Sequence, residues 1–279
     1  MEQVLKDALK FSQSLTQDIG ATLATQFGNV QAQQKPDGSL VTSSDQWADE
    51  QIRSAIAHQF PDHGVLTEET VHIFPDREWC WVIDPIDGTT NFTRGIPVWG
   101  ISMGLLYQGM PVFGYVHFPV LQQSFHGFWL TGSGLVGENG AYRNNEPIQT
   151  SPDDLSSSHL FSLCVRSMPS LQKSLPCKSR IVGVCTYSFL LVASGAALAA
   201  VEAIPKVWDL AAVWAIVQGA GGKFIPLTPK SAFPLQAGIN YGTMPLPTLV
   251  VGRDEFASVF QPVVESIGKE VMASQTSKQ

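Results

Sequence analysis

The sequence predicts a mixed protein in which an α+β half is followed by an α/β half. Two helical patterns at the start of the chain precede a run of strand-like segments, which favours helices packed on a mostly antiparallel sheet. After about residue 149, strand and helix patterns alternate, as is typical of α/β structure. We therefore predict two halves, 1–148 and 149–279, in this chain of 279 residues.

The helices are predicted from the spacing of apolar residues. From Val4 to Leu23, apolar side chains recur every three or four positions, which predicts one amphipathic helix over about 1–25. A second such pattern begins near Ser44 or Asp45 and stops before Pro61. In the second half, helices are predicted over 187–200, 210–218 and 255–267.

The strands are predicted where short apolar and aromatic runs lie between turn signals. In the first half these runs are 65–66, 79–83, 99–107, 111–118 and 123–128, and in the second half they are 160–164, 179–184 and 248–251. The stretch from 145 to 158 is rich in Asn, Ser, Pro and Asp and predicts a surface crossing between the two halves.

Composition narrows the classes of function. The 44% of apolar residues can build a large core, while the net charge of −7, with no dense Lys or Arg cluster, argues against nucleic-acid and membrane-surface binding. The four cysteines show neither a CxxC pair nor disulfide spacing, which favours a reducing compartment. No signal-peptide pattern begins the chain, and its longest apolar run is too short to span a bilayer. We therefore predict a cytoplasmic protein.

The most informative stretch is a strand-like run that ends in two aspartates, Asp84 and Asp87, followed by Gly88-Thr89-Thr90. Pro85 fixes its φ angle and lacks an N–H, so we expect a sharp turn that aims both carboxylates at one point. Converging carboxylates repel each other unless a cation neutralises them. Oxygen ligands suit Mg²⁺ or Mn²⁺, and no set of thiolates or imidazoles suited to zinc lies nearby. The motif therefore predicts a hard-cation site.

Three other acidic positions are ambiguous when each is taken alone. Glu68-Glu69 directly follows a short apolar segment, so it is either a second strand tip or a solvated acidic pair in a loop. Asp209 stands where a helix begins and could be its N-cap, and Asp45 could likewise cap the second helix. The local pattern leaves a functional and a structural interpretation open at each position.

The acidic motifs gain meaning from their order along the chain. They are Glu68-Glu69-Thr70, the segment from Asp84 to Phe92, and Trp208-Asp209-Leu210-Ala211-Ala212. In this order and spacing they resemble the inositol monophosphatase family, the magnesium-dependent, lithium-sensitive phosphomonoesterases. The likeness extends from Val41 to Gly222. It implies a layered αβαβα sandwich of the inositol monophosphatase and fructose-1,6-bisphosphatase type, and a homodimer.

The resemblance also implies a set of metal ligands. Glu68, Asp84 and the backbone carbonyl of Ile86 would hold a first Mg²⁺ ion. Asp84 would bridge to a second ion that Asp87 and Asp209 complete. A third, weaker ion would use Glu68 with water molecules. Two or three Mg²⁺ ions are therefore expected, with Mn²⁺ as a substitute.

Catalytic and substrate-binding residues are implied in the same way. Glu68 is expected in the catalytic set together with Thr89 and Asp45, which would orient and deprotonate the attacking water. Glu202 would accept hydrogen bonds from substrate hydroxyls, and Cys185 stands where alanine is common in the family. The implied substrate-binding residues are Asp87, Gly88, Thr89, Gly183, Cys185, Glu202 and Asp209.

The function that follows is Mg²⁺-dependent hydrolysis of a small polyol phosphate by a metal-activated water, with inositol 1-phosphate as the first candidate. Histidinol phosphate, fructose 1,6-bisphosphate and 3′-phosphoadenosine 5′-phosphate are alternative substrates. A non-catalytic metal-binding regulator is a remote alternative, because such a protein should have lost a ligand. The active site is expected between the two halves, with Asp45, Glu68, Asp84, Asp87 and Thr89 in 1–148 and with Glu202 and Asp209 in 149–279.

Overall fold

The chain forms helices and strands in an order close to the predicted one. The computed structural model describes residues 2–36 and 38–276. Within these residues the helices are α1 (Glu2–Gln26), α2 (Ser43–Gln59), α3 (Thr89–Thr93), α4 (Cys185–Ala193), α5 (Val207–Gly219) and α6 (Glu255–Thr276), with a 3-10 helix at Val165–Ser170. The first strands are β1 (Gln33–Gln34), β2 (Leu40–Val41), β3 (Gly64–Thr67), β4 (Trp79–Asp87), β5 (Gly100–Tyr107), β6 (Met110–Phe118) and β7 (Gln123–Phe128). The remaining strands are β8 (Gly140–Arg143), β9 (Glu146–Pro147), β10 (Leu160–Leu163), β11 (Lys178–Arg180), β12 (Ala199–Glu202), β13 (Lys223–Pro226) and β14 (Thr248–Val251).

The strands form two main sheets and one small hairpin. The larger sheet has seven strands in the sequential order β3 to β9, and all its pairs are antiparallel except β3 with β4. The smaller sheet has five strands in the order β11-β10-β12-β14-β13 and mixes parallel with antiparallel pairs. Strands β1 and β2 pair only with each other.

The two sheets and the helices stack in five layers. Alternate side chains of β4 enter different cores, because successive residues of a strand point to opposite faces. Trp81 packs in the core with α1 and α2, whereas Val82 packs in the central core with α4 and α5. A third core joins the small sheet to α6 through residues such as Phe260. The order helix, sheet, helix, sheet, helix confirms the predicted αβαβα sandwich.

Helix α5 lies directly on the backbone of the large sheet. Its residues from Leu210 to Val213 are all buried, because it is enclosed between the two sheets. Glycines in the strands permit this approach. A Cβ atom at Gly104 of β5 would lie 2.8 Å from the backbone of Ala211, and one at Gly114 of β6 would lie 1.9 Å from the carbonyl oxygen of Ala212. Helix α5, which carries Asp209, therefore packs on the backbone of the strands rather than on long side chains.

Two predictions in the second half were wrong. The helix predicted over 187–200 is two elements, since α4 ends at Ala193 and β12 begins at Ala199 in the middle of the small sheet. Gly195, with φ of 74°, adopts a left-handed conformation between them. The strand predicted over 179–184 stops at Arg180, and Cys185 begins α4.

Other boundaries also differ from the prediction. Strand β4 continues to Asp87 instead of ending at Ile83, and α6 continues to Thr276 instead of 267. The surface crossing predicted from 145 contains β9, which pairs with β8 at the edge of the large sheet. The strands predicted over 123–128 and 248–251 are confirmed at both ends. Within residues 2–36 and 38–276, no helix combines the length and the hydropathy needed to cross a membrane.

Candidate active site

The predicted site residues lie together at the ends of strands and helices. Because β3 and β4 are parallel, the segments that follow them meet at one edge of the large sheet. Glu202 ends β12, and Asp209 lies in the first turn of α5. Every predicted site residue except Asp45 lines one cavity of 430 Å³: Glu68, Asp84, Ile86, Asp87, Gly88, Thr89, Gly183, Cys185, Glu202 and Asp209. These lining residues come from both sides of the predicted division at 148.

A local irregularity in β4 brings Asp84 and Asp87 together. Residues three apart in a regular strand point to opposite faces. Here the pairing of β4 with β5 shifts register between the two aspartates, and the N–H of Ile86 donates to Asp84 Oδ1 at 3.0 Å. The predicted sharp turn at Pro85 is therefore a bulge within a longer strand. Carboxylate oxygens of Asp84, Asp87 and Asp209 lie within 4.8 Å of one another.

The three aspartates are buried close to one another, which disfavours their charged forms. Burial raises the pKa of all three carboxyl groups, and it raises those of Asp84 and Asp209 well above the ordinary value. The charges of Glu68, Asp87 and Asp209 raise the pKa of Asp84 further. A cluster of buried carboxylates next to a strand-end carbonyl is a donor set that fits a hard divalent cation.

Glu68 is paired with a cation that the sequence analysis did not identify. Lys35 Nζ lies 2.9 Å from Glu68 Oε1 and 2.8 Å from Glu69 Oε1. Burial raises the pKa of Glu68, whereas Lys35 lowers it. Lys35 directly follows β1, in the hairpin whose residues Gly38 to Leu40 also line the cavity. Nothing in the local sequence distinguishes this lysine from a solvated one.

Asp45 serves both the helix and the site. The N-cap of α2 is Thr42, so the interpretation of Asp45 as the cap was wrong by three residues. Asp45 Oδ2 accepts from the Thr42 N–H at 2.8 Å, which closes a capping box. Asp45 Oδ1 accepts from the Thr89 hydroxyl at 3.0 Å. Asp45 therefore reaches the cavity through Thr89.

Asp87 and Asp209 are each held by the start of a helix. Asp209 is the third residue of α5 rather than its N-cap, and its Oδ2 accepts from the Lys206 N–H at 2.6 Å. Asp87 Oδ2 accepts from the N–H and the hydroxyl of Thr186, at 2.7 and 2.5 Å, in the first turn of α4. Thr186 could not be predicted from the sequence, because a single threonine there carries no distinctive signal.

Glu202 lines the same cavity but does not belong to the cluster of three aspartates. It is 8% exposed, and burial raises its pKa to about 7 despite hydrogen bonds from Ser188 and Cys164. Gly183, with φ of 75°, lies against Asn91, whose Nδ2 donates to the Val182 carbonyl at 3.0 Å. This bond ties the helix that follows the aspartate motif to the segment before Cys185.

Comparison with known proteins identifies the family of this chain. The model of the inositol monophosphatase family matches residues 1–254. The chain belongs to the inositol monophosphatase family. Members of this family are metal-dependent phosphomonoesterases, and the chain is accordingly a phosphatase.

The similar proteins within the inositol monophosphatase family differ in the substrates that they are named for. The histidinol-phosphatase of Chlorobaculum parvum is 34% identical, over 77% of this chain and 83% of that protein. The fructose-1,6-bisphosphatase/inositol-1-monophosphatase of Thermotoga maritima is 29% identical, over 94% and 99%. A solved structure of a Thermotoga maritima IMPase superposes with a TM-score of 0.76 at 26% identity, over 96% and 99%. An IMPase/NADP phosphatase complexed with Mg²⁺ and phosphate has the same fold, with a TM-score of 0.72 at 21% identity over 95% of each chain.

Proposed function

We propose that this phosphatase is a Mg²⁺-dependent phosphomonoesterase that hydrolyses the phosphate ester of a small hydroxylated molecule. The observation that carries the proposal is the convergence of three buried carboxylates in a cavity that Glu202 also lines. A hard-cation site beside a separate polar group suits a substrate with a phosphate at one end and an alcohol at the other.

The metal ligands that we propose are Glu68, Asp84, Asp87, Asp209 and the carbonyl of Ile86. They would hold two Mg²⁺ ions, and Glu68 with water molecules would hold a weaker third, with Mn²⁺ as a substitute. When bound, the metal neutralises the carboxylates and supplies Lewis-acid activation of water and phosphate. These ligands line a cavity of 430 Å³, so a metal ion that they hold would be accessible to the phosphate of a small ester.

Thr89 and Asp45 are the proposed proton-handling pair. The Thr89 hydroxyl lies 3.0 Å from Asp45 Oδ1 and 3.2 Å from the Ile86 carbonyl oxygen. Burial raises the pKa of Asp45, which makes its carboxylate a better proton acceptor. The threonine would orient the attacking water and pass its proton towards Asp45. Gly88, with φ of 93°, would let backbone N–H groups approach the phosphate closely.

On the family resemblance alone, inositol 1-phosphate is the first candidate substrate. Histidinol phosphate is the second, and it is favoured by relatives named histidinol-phosphatases that are 34% and 31% identical. Glu202 can accept a hydrogen bond from a hydroxyl of the first or an ammonium group of the second. Fructose 1,6-bisphosphate and 3′-phosphoadenosine 5′-phosphate are further alternatives. On the family analogy we also propose a lithium-sensitive homodimer, and from the cysteine usage we propose a cytoplasmic location.

A phosphate-release screen tests the proposed function. The purified protein is assayed with each of the four esters in the presence of Mg²⁺ and, separately, of EDTA. We expect phosphate to be released from at least one ester in the presence of Mg²⁺ and from none in the presence of EDTA. The Asp84→Asn variant should lose this activity, whereas Asp18→Asn, which changes an exposed acid on α1, should keep it. Release that persists in EDTA would contradict the metal-dependent proposal.

A further inference from the structure

Three exposed aliphatic side chains line the cavity around Glu202. Val165, Ile181 and Ile204 are 65%, 49% and 36% exposed, and all three are lining residues of this cavity. Ile204 lies two residues after Glu202, and Ile181 lies two residues before Gly183. We call these three residues the apolar rim.

The apolar rim is not explained by the packing of the fold. None of its members belongs to the three cores formed by the described residues. A single exposed aliphatic residue is common and needs no explanation. Three that come from separate segments and line one cavity form a wall, and Val184 and Pro205 extend that wall. Arg166 and Lys206 also line this cavity, so its lining combines the carboxylates, two basic side chains and this apolar wall.

We propose that the apolar rim selects the alcohol part of the substrate. The preferred ester has an apolar or aromatic face that contacts the rim and one hydrogen-bond donor for Glu202. This inference rests on the proposed phosphomonoesterase function and narrows its substrate class. A fully hydroxylated ring would lose water from its hydroxyl groups against the rim without gaining partners there, which is costly. The rim therefore favours an amphipathic alcohol such as that of histidinol phosphate over the polyol of inositol 1-phosphate.

Substitutions in the rim test this inference. The variants are Val165→Thr, Ile181→Ser and Ile204→Ser, and their sites are exposed enough for the fold to tolerate the change. Met168→Ser is the matched control, because Met168 is 50% exposed in the same 3-10 helix as Val165 but does not line the cavity. The measurement is kcat/KM for histidinol phosphate divided by kcat/KM for inositol 1-phosphate. Intrinsic reactivity of the two esters cancels when each variant is compared with the wild type.

We expect each rim variant to lower this ratio by roughly three- to tenfold, near the low end of what an apolar contact contributes in an enclosed pocket. The control should leave the ratio unchanged. If both esters are hydrolysed and the rim variants keep the wild-type ratio, the inference fails while the proposed function stands. A rim variant that changes the molecular mass in solution but not the ratio would also overturn it, because the rim would then be a subunit contact. If neither ester is hydrolysed, that result contradicts the substrate class inferred from the apolar rim.

Discussion

Replacing Asp84 by asparagine should stabilise the metal-free protein while it abolishes catalysis. Carboxylate oxygens of Asp84, Asp87 and Asp209 lie within 4.8 Å of one another, so each ionised pair repels by about 3.5 kcal/mol at an effective dielectric constant of about 20. Asp84 takes part in two such pairs. The metal-free protein avoids part of this cost by binding protons. We therefore expect Asp84→Asn to raise the free energy of unfolding by about 2 to 4 kcal/mol at pH 8.

The increase in the free energy of unfolding caused by Asp84→Asn should be larger at high pH than at low pH, because the pKa of Asp84 is raised in the folded protein. A carboxyl group whose pKa is higher in the folded state stabilises the fold while it is protonated, and this contribution is lost as pH rises through the folded pKa. Since burial and neighbouring charges raise the pKa of Asp84, the metal-free wild type should lose stability between pH 5 and pH 8. The Asp84→Asn variant should lose less stability over the same pH interval. Ionisation of Glu202, whose pKa is about 7, should destabilise the wild type and Asp84→Asn equally over this interval.

Urea unfolding in EDTA at pH 5 and pH 8 measures these differences, and repeating it with Mg²⁺ completes the test. Added Mg²⁺ should stabilise the wild type more than Asp84→Asn, because the variant lacks the proposed bridging ligand. Asp18→Asn should match the wild type in every condition. The reasoning would be refuted if Asp84→Asn were no more stable than the wild type at pH 8 in EDTA. Substantial phosphate release by the variant would refute the role of Asp84 as a metal ligand.

Three further substitutions probe other parts of the site and its support. Thr89→Ala should lower kcat by about 100-fold or more and leave the Mg²⁺ affinity nearly unchanged, as measured by steady-state kinetics and calorimetry; a variant that lost affinity but kept kcat would contradict the proton-handling role. Lys35→Met removes the ammonium group that pairs with Glu68 and Glu69, so calorimetry should record Mg²⁺ binding about tenfold tighter, and weaker binding would mean that Lys35 supports the metal site. Gly114→Ala places a Cβ atom 1.9 Å from the Ala212 carbonyl oxygen, so this substitution should lower the free energy of unfolding by about 3 kcal/mol or more, measured by thermal unfolding. A variant with the wild-type Tm would show that α5 can move away from the sheet.

Periodicity predicts an element best where one of its sides faces solvent. Helix α1 has apolar residues at helical spacing and was predicted almost to its ends. The run from 185 to 202 was misread because α4 and β12 are both almost fully buried, so neither helical nor alternating periodicity marks them. Short edge strands such as β9 and the brief helix α3 offer too few residues for a periodic pattern.

The sequence predicts the acidic residues of the candidate site but not the groups that form hydrogen bonds and ion pairs with them. The acids stand in recognisable motifs at strand ends, and the family likeness supplied roles for them that remain predictions. Lys35, Thr42 and Thr186 act through contacts with residues that are distant in sequence or through backbone geometry. No local pattern indicates such contacts, because they depend on how β1, α2 and α4 are placed around the end of β4.

The seating of α5 on the glycines of the large sheet limits which parts of the site can move. The sheet carries Asp84 and Asp87, and α5 carries Asp209, so the separation of these acids is set by main chain resting on main chain. Such a contact has little freedom to slide, because a small displacement would open a void or cause a clash. The spacing of the acidic cluster should therefore stay nearly constant through binding and turnover.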